Sequence, residues 1–285
     1  MTLSLPLLLL VATLAGSPSA PDDARALLLK VVENQERNED LQRQYAYVET
    51  LSTQYLDGQG EATRTESEAS QVTPTLGGEY KRRLARDGQA LAPREAAEEE
   101  KKLREHLDKQ QRLSLQEQEK ARGRVKRRTD RFKTRLREAL EVYDFTPLPD
   151  ERLDQRAVAV FRFQPRPGYQ PRSRATSVLS KLEGTIWIDP QQAQIARLQV
   201  IFREDFKVAG GVFGKIARGS EANASQHRLN DEVWLLDQIT VRVQGRLYFL
   251  KRYNQIVTAS YSDYRKFTVR TEEGDFRPLP PKEDR

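Results

Sequence analysis

The stretch Ile239-Thr-Val-Arg-Val-Gln-Gly-Arg-Leu-Tyr-Phe249 alternates apolar and polar side chains along its length. A period of two predicts a strand with one buried and one wetter face, which is typical of antiparallel sheets. The same alternation occurs in residues 157–163 and 196–202, and residues 185–188 form a short β-branched and aromatic run. The carboxyl-terminal half of the chain is therefore predicted to consist mainly of antiparallel strands.

The amino-terminal part adds one helix and further strands. Residues 22–39 combine an acidic start with an apolar side, which indicates a helix. The period changes to two from Tyr45, a hairpin signal lies at residues 57–60, and another extended stretch covers residues 79–86. Strands with helices on one face predict the α+β class.

Residues 93–141 differ in kind from the rest of the chain. Glu, Lys, Arg, Gln and Leu dominate this run, and all of them are good helix formers. Apolar residues are sparse, so the run predicts a charged helical arm laid on the sheet, with Gly123 dividing it into two helices. We expect one domain over residues 21–270, with the arm as an insertion, and a disordered tail at 271–285.

Residues 1–20 carry no charged side chain. The apolar run at residues 3–14 is shorter than the roughly 20 residues that span a bilayer, and small residues follow it. This pattern predicts a secretory signal peptide cleaved within residues 16–20. A buried amino-terminal helix and an uncleaved signal anchor are the alternatives. The expected location is the periplasm.

The composition excludes several classes of protein. The 285 residues include no Cys, which rules out disulfides, thiolate metal sites, a cysteine nucleophile and an acylated cysteine anchor. Only 37% of the residues are hydrophobic, and the mean hydropathy is −0.75. Such a chain is expected to be largely solvated or to have a thin core that is open on one side.

Lys and Arg outnumber Asp and Glu by 48 to 42, and part of this excess is concentrated in the arm. The basic cluster consists of Arg122, Arg124, Lys126, Arg127 and Arg128. It is a candidate contact for an anionic membrane surface or an envelope protein partner, and the alternative is a solvated helix face. Export and the lack of interleaved aromatic residues argue against nucleic acid.

Motifs for catalysis are weak. His106 and His227 have no second histidine at ligand spacing, so no metal site is expected. Residues 209–216 depart from a phosphate loop at both ends, and no G-x-S-x-G elbow occurs. We therefore expect a monomeric, non-enzymatic protein without a cofactor. An envelope hydrolase remains the weakest alternative.

Several segments resemble a known family. They are Tyr45-Ala-Tyr-Val-Glu49, Gly184-Thr-Ile-Trp-Ile-Asp-Pro190, Ile195-Ala-Arg-Leu198, Glu232-Val-Trp-Leu235 and Tyr261-Ser-Asp-Tyr-Arg-Lys-Phe267. Together they are similar to exported bacterial proteins described as outer-membrane lipoprotein-sorting proteins, which resemble the periplasmic lipoprotein-carrier superfamily. The resemblance covers roughly residues 25–270 apart from the arm.

The resemblance implies a strongly curved antiparallel sheet, an unclosed half-barrel with helices on its concave side. It also implies an apolar cavity suited to acyl chains, a two-membrane envelope and no catalytic residues. The candidate lining residues are Trp187, Trp234, Ile239, Val241, Val243, Leu247 and Phe249. These side chains could instead pack only against the helices.

The predicted function is that of a periplasmic carrier for an acyl-bearing ligand, either a lipid or a lipoprotein. The alternative is an envelope regulatory or interaction protein. In that case the same sheet is a scaffold, and the charged arm docks on a partner.

Overall fold

The computed structural model describes residues 21–208, 214–247 and 251–266. The helices are α1 Pro21–Gln42, α2 Pro93–Gln111, α3 Leu115–Val142 and α4 Arg174–Leu179. The strands are β1 Tyr45–Leu56, β2 Ala62–Thr75, β3 Gly78–Arg86, β4 Gln89–Ala90, β5 Tyr143–Leu153, β6 Arg156–Pro165, β7 Leu182–Asp189, β8 Gln194–Phe202, β9 Phe206–Val208, β10 Gly214–Ile216, β11 Glu221–Leu229, β12 Val233–Leu247 and β13 Lys251–Lys266. The predicted signal peptide and tail lie outside the described residues.

In the described part of the chain, all strands belong to one antiparallel sheet. Its order is β4-β3-β2-β1-β13-β12-β11-β8-β7-β6-β5, with β9 and β10 attached beside β12. The sheet is not closed, because β4 and β5 are its two ends. β4 has two residues, and β5 contains Pro147 and Pro149 with a register shift beside them. The α+β half-barrel class predicted from the sequence is confirmed.

The strand registers define the two faces of the sheet. One row across it contains Phe161, Ile186, Leu198, Ala224, Ile239, Ala259 and Leu51. The next row on the same side contains Phe163, Gly184, Val200, Ala222, Val241, Val257 and Thr53. We call this side the helix face. The row between them points to the other side, which we call the outer face, and it contains Arg162, Thr185, Gln199, Asn223, Thr240, Thr258 and Ser52.

The largest core cluster covers the helix face between β5 and β8. From α1 it receives Leu28, Val31 and Val32, and from the end of α3 it receives Leu140 and Val142. The strands contribute Tyr143, Phe161, Phe163, Ile186 and Ile188. Burial of these side chains stabilises the fold by about 25 cal/mol for each Å² of apolar surface removed from water. The helices are therefore fixed over one half of the sheet.

A pair of hydrogen bonds fixes α1 to the beginning of β12. The side chain of Asn38 is buried, and its Nδ2 donates to the carbonyl oxygen of Trp234 at 3.1 Å. The Trp234 amide donates back to Asn38 Oδ1 at 2.9 Å. The predicted helix over residues 22–39 extends to Gln42, and the polar side of its end faces this strand.

The arm divides at a different position from the one predicted. Gly123 lies inside α3, and the break falls at residues 112–114. Ser114 starts α3 with a capping box, in which its side chain accepts from the Glu117 amide while Glu117 accepts from the Ser114 amide. This reciprocal pair satisfies free amides at the helix start, whereas one glycine inside a long helix costs only about 1 kcal/mol. α2 packs on β3, and α3 packs on α1 and α4.

Candidate functional site

A shallow apolar groove runs along β11 on the helix face, where the covering by helices ends. Ala222 and Ala224 form its floor. Leu198 and Val200 on β8 form one wall, and Ile239 and Val241 on β12 form the other. The walls are two strand spacings apart, or about 9.5 Å. We call these six residues the β11 groove, and all six side chains are only partly buried.

The groove is bounded at both ends by other parts of the chain. At one end α1 crosses toward β12 through the Asn38–Trp234 bonds. At the other end the β9–β10 hairpin pairs with β12 over Gly245, whose lack of a side chain leaves room for the Tyr253 ring. The Tyr253 hydroxyl donates to the Lys215 carbonyl oxygen at 3.2 Å. These contacts mark the two ends of the apolar strip along β11.

The apolar surface continues beyond the groove. Val257 and Ala259 on β13 and Leu51 on β1 share the helix face with Ile239 and Val241, and Leu51 is 41% exposed. The rows become acidic on β2, where they reach Glu66 and Glu68. Of the described helices, α1 packs on β12 near its beginning, where Leu41 contacts a small cluster of Tyr45, Val233 and Leu235.

A cluster of tyrosines lies on the helix face beyond the end of this strip. The Tyr47 ring lies 5.8 Å from Tyr261 and 5.3 Å from Tyr264, measured between ring centroids. The Tyr47 hydroxyl donates to Glu79 Oε1 at 3.2 Å. Burial, followed by the nearby carboxylates of Glu79 and Glu49, raises the pKa of Tyr47 well above its usual value. These tyrosines are therefore neutral and polar at their tips, and they end the apolar strip.

The structure places the predicted ligand residues in three different surroundings. Ile239, Val241 and Val243 lie on the helix face and are partly buried, beside the helix-covered core rather than under it. Leu247 ends β12 opposite Gly214, and Phe249 lies outside the described residues.

The two tryptophans do not join that row. Trp187 lies on the outer face, where the Arg197 guanidinium covers its ring at 5.6 Å and its Nε1 donates to Glu151 at 3.0 Å. Trp234 is buried with Val158 and Val160 in a second cluster, and Trp187 packs against that same cluster.

Sequence reasoning missed the floor of the groove. Ala222 and Ala224 lie in β11, a strand that was not predicted because its alternating residues are small or polar. The alternation Ala-Asn-Ala-Ser at residues 222–225 was the available signal. Small side chains flanked by two apolar strands are what an open groove requires.

Two depressions are present elsewhere, and both have mainly polar linings. The first, of about 420 Å³, lies on α1 beside Glu33, Arg37, Asp40 and Leu41. The second, of about 220 Å³, lies between α1, the β7–β8 turn and the start of β12. Its lining includes Asn34, Asn38, Gln192, Gln194 and Glu232. Neither of the two resembles an enclosed apolar cavity.

The basic cluster predicted in the arm lies on the surface of α3. Arg122, Arg124, Lys126, Arg127 and Arg128 are all exposed. Within the described residues, none of these five side chains forms an ion pair. Residues 120–137 contain ten Lys or Arg and one Asp. An apolar stripe runs along the same helix, with Ala121 and Leu140 buried.

Each of the two histidines packs against a tyrosine ring, and they do not lie together. The His106 ring stacks on Tyr80 with centroids 4.6 Å apart, and His227 lies 5.9 Å from the Tyr264 ring. In residues 21–208, 214–247 and 251–266, no cluster of three or more potential metal ligands occurs. Among the helices in those ranges, none combines the length and apolar character needed to cross a membrane.

Comparison of structures finds distant neighbours of the expected kind. One is described as an outer membrane lipoprotein-sorting protein domain from Vibrio parahaemolyticus, with 10% identity, a TM-score of 0.34 and coverage of 86% of this chain and 95% of that one. A DUF1329 family protein from Desulfovibrio piger has 10% identity, a TM-score of 0.35 and coverages of 89% and 96%. MucB in the Pseudomonas aeruginosa MucA/MucB complex has 10% identity, a TM-score of 0.26 and coverages of 84% and 93%.

The first of these neighbours has the description that the sequence segments led us to expect. No protein-family model matches the chain, and no curated protein matches it. Similarity at these TM-scores gives no residue-by-residue correspondence.

Proposed function

We propose that the protein is a non-enzymatic binding protein of the bacterial periplasm that carries an acyl-bearing ligand in the β11 groove. The observation that supports this most is the row of small side chains between two apolar walls, beside the helix-covered core. An acyl chain is narrow enough to lie between walls about 9.5 Å apart. The expected signal peptide supports export, and the absence of cysteine in the sequence excludes a lipid anchor attached to the protein through that residue.

The binding energy would come from apolar contact. Each methylene that is fully removed from water gains about 0.8 kcal/mol. Complete burial of six methylenes would gain about 5 kcal/mol. Because the open groove covers only one side of the chain, this value is the upper limit of the gain. Such a site holds its ligand reversibly, which suits a carrier better than a storage protein.

Binding of a fluorescent fatty acid to the purified protein tests the proposal. Val241→Asp places a carboxylate in one wall of the groove, and we expect the affinity to fall at least tenfold, because a charge facing an alkyl chain must lose hydration. Thr240→Asp adds the same charge to the neighbouring position on the outer face. We expect this control to keep its affinity within about twofold.

A second variant tests the shape of the site without adding charge. Ala224→Phe fills the floor of the groove and is expected to displace the same probe. Native mass spectrometry of the wild-type protein should also show a co-purified lipid. Absence of both lipid and probe binding would contradict the proposal, as would equal losses in Val241→Asp and Thr240→Asp.

A further inference from the structure

The exposed side of α3 carries a continuous row of arginines. Arg124, Arg128, Arg131 and Arg135 follow spacings of four, three and four, which places them along one side of the helix. All four side chains are exposed, and within the described residues none of them has an ion-pair partner. The row extends about 16 Å along the helix axis. We call it the arginine row.

This row is costly for an isolated helix. Like charges at i, i+4 spacing destabilise a helix, and the only acid within residues 120–137 is Asp130. The helix nevertheless remains regular past Arg135, because its other side is held in the core by Leu136 and Leu140. The row therefore keeps four unpaired positive charges in solvent on a helix that packing holds in place, where an anionic surface outside the chain can reach them.

Positive charge also occurs on the other flank of the buried stripe. Arg122, Lys126 and Arg137 lie there and are exposed. Leu115 is on this flank too, at spacings of seven and eleven from Arg122 and Lys126, and it is 80% exposed. This flank lies about half a turn around the helix from the arginine row, so one flat surface can contact only one of the two. The row itself presents four exposed cations in line, which matches the dense negative charge of a layer of anionic lipid headgroups.

The arm is held rigidly enough to present this surface. Gln110 Oε1, at the end of α2, accepts from the Leu76 amide in the β2–β3 turn at 3.1 Å. The Arg82 guanidinium on β3 pairs with Glu100 of α2. The other end of α3 is anchored in the core through Leu140. The helix therefore does not have to be ordered when it binds.

We propose that α3 is a docking surface for anionic phospholipid membranes, which it contacts through the arginine row. Each basic side chain close to such a surface strengthens binding by about fivefold. This docking is independent of the β11 groove, and it would bring an acyl carrier to the place where its ligand is found.

Co-sedimentation of the full chain with vesicles tests the docking. We expect binding to vesicles containing phosphatidylglycerol and none to vesicles of phosphatidylcholine alone. Raising the salt from about 0.1 M to about 1 M shortens the Debye length from about 10 Å to about 3 Å and should release the protein. Failure of the wild-type protein to bind anionic vesicles overturns the proposal.

Three matched variants locate the surface. Replacing Arg124, Arg128, Arg131 and Arg135 by Gln should weaken vesicle binding at least tenfold. Replacing Arg86, Arg162, Arg218 and Arg246 by Gln removes the same charge from exposed positions elsewhere and should change binding by no more than about twofold. Equal losses in the two variants would show that only net charge matters, and they would overturn the assignment to α3.

Replacing the four arginines of the row by Lys distinguishes binding to a membrane from binding to an acidic protein partner. Lysine keeps the charge but loses the bidentate geometry with which arginine recognises carboxylates. We expect the Lys variant to bind vesicles nearly as well as the wild type, and a loss equal to that of the Gln variant overturns the proposal. Because the Lys variant retains every charge, it also keeps the test informative if the Gln variant misfolds.

Binding of the fatty-acid probe should survive in every α3 variant, so failure of the groove and failure of the docking surface are distinguishable.

Discussion

At the scale of single residues, Gly184 shows how closely the helix face is packed. It lies in β7, between Phe163 on β6 and Val200 on β8. A Cβ at this position would overlap the Gln199 carbonyl oxygen and would lie 2.8 Å from the Phe163 ring. The missing side chain lets the phenylalanine lie flat over the strand. Glycine is favoured at this position because neighbouring atoms approach closely, and not because of its backbone φ angle.

Gly184→Ala is expected to lower the free energy of unfolding by about 1–3 kcal/mol, because overpacking forces the strand or the ring to move. Gly58→Ala is the matched control, since a Cβ there would meet nothing within 4 Å. The control should change stability by less than about 0.5 kcal/mol. Urea unfolding monitored by circular dichroism measures both. A Gly184→Ala protein as stable as the control would show that this packing is not tight.

The sequence predicted correctly which side chains share a face when all of them belong to one strand. Ile239, Val241 and Val243 share a face because alternate side chains of a strand point the same way. Whether Trp187 joins them depends on the pairing of β7 with β8, which no pattern within residues 182–189 reveals. Ala222 and Ala224 were missed for the same reason, because they form a groove floor only through their pairing with apolar residues on two other strands.

At the scale of elements, α3 combines two environments in one helix. Its last turns contribute Leu136 and Leu140 to the core, whereas its first turn leaves Leu115 exposed. Deleting residues 94–141 would therefore remove core side chains together with the basic surface. Point substitutions are the better way to separate the structural part of the arm from the part that faces outward.

Leu140→Ala should lower the free energy of unfolding by about 2–5 kcal/mol, because it leaves a cavity beneath α1. Leu115→Ala, the same chemical change at an exposed position, should cost less than about 0.5 kcal/mol. Thermal unfolding of the two variants under identical conditions provides the comparison. Similar losses in both would mean that α3 packs differently from the arrangement described above.

The boundaries of the elements were partly readable from the sequence. The helix over residues 22–39 and the strands starting at Tyr45 are confirmed. The capping box Ser-Leu-Gln-Glu at residues 114–117 was present as a signal for the start of α3, and it outweighs Gly123. β5 was not predicted because its two prolines conceal its alternation, and α4, a helix of only 6 residues, was not predicted either.

At the scale of the whole molecule, one face of the sheet is divided between two roles. The half between β5 and β8 is covered by α1, α3 and α4 and holds the largest core cluster. On β12, β13 and β1 the central residues of the helix face are partly buried or exposed, and a small cluster of Tyr45, Val233 and Leu235 is buried at one end. The low apolar fraction of the sequence agrees with this division, since one covered half requires fewer apolar residues than a closed core.

A ligand that binds only the folded protein raises its stability by mass action. With a fatty acid present at about 100 times its dissociation constant, the free energy of unfolding should rise by about 2.7 kcal/mol. Differential scanning calorimetry should show a higher melting temperature for the wild type and for Thr240→Asp, but not for Val241→Asp. A shift of equal size in all three proteins would place the binding outside the β11 groove.

The two edges of the open sheet determine whether the protein can associate with itself at high protein concentration. An uncovered edge offers unpaired amides and carbonyls to a second copy of the chain, and long regular edges promote aggregation. β4 covers only the last two residues of β3, but α2 packs on β3 and its Glu99 accepts a hydrogen bond from the Arg83 amide. In β5, Pro147 and Pro149 lack the amide hydrogen that a pairing strand would need. The register shift beside them interrupts whatever pairing remains. The same open architecture that exposes a groove to ligands is thus protected at its edges from polymerising by strand addition.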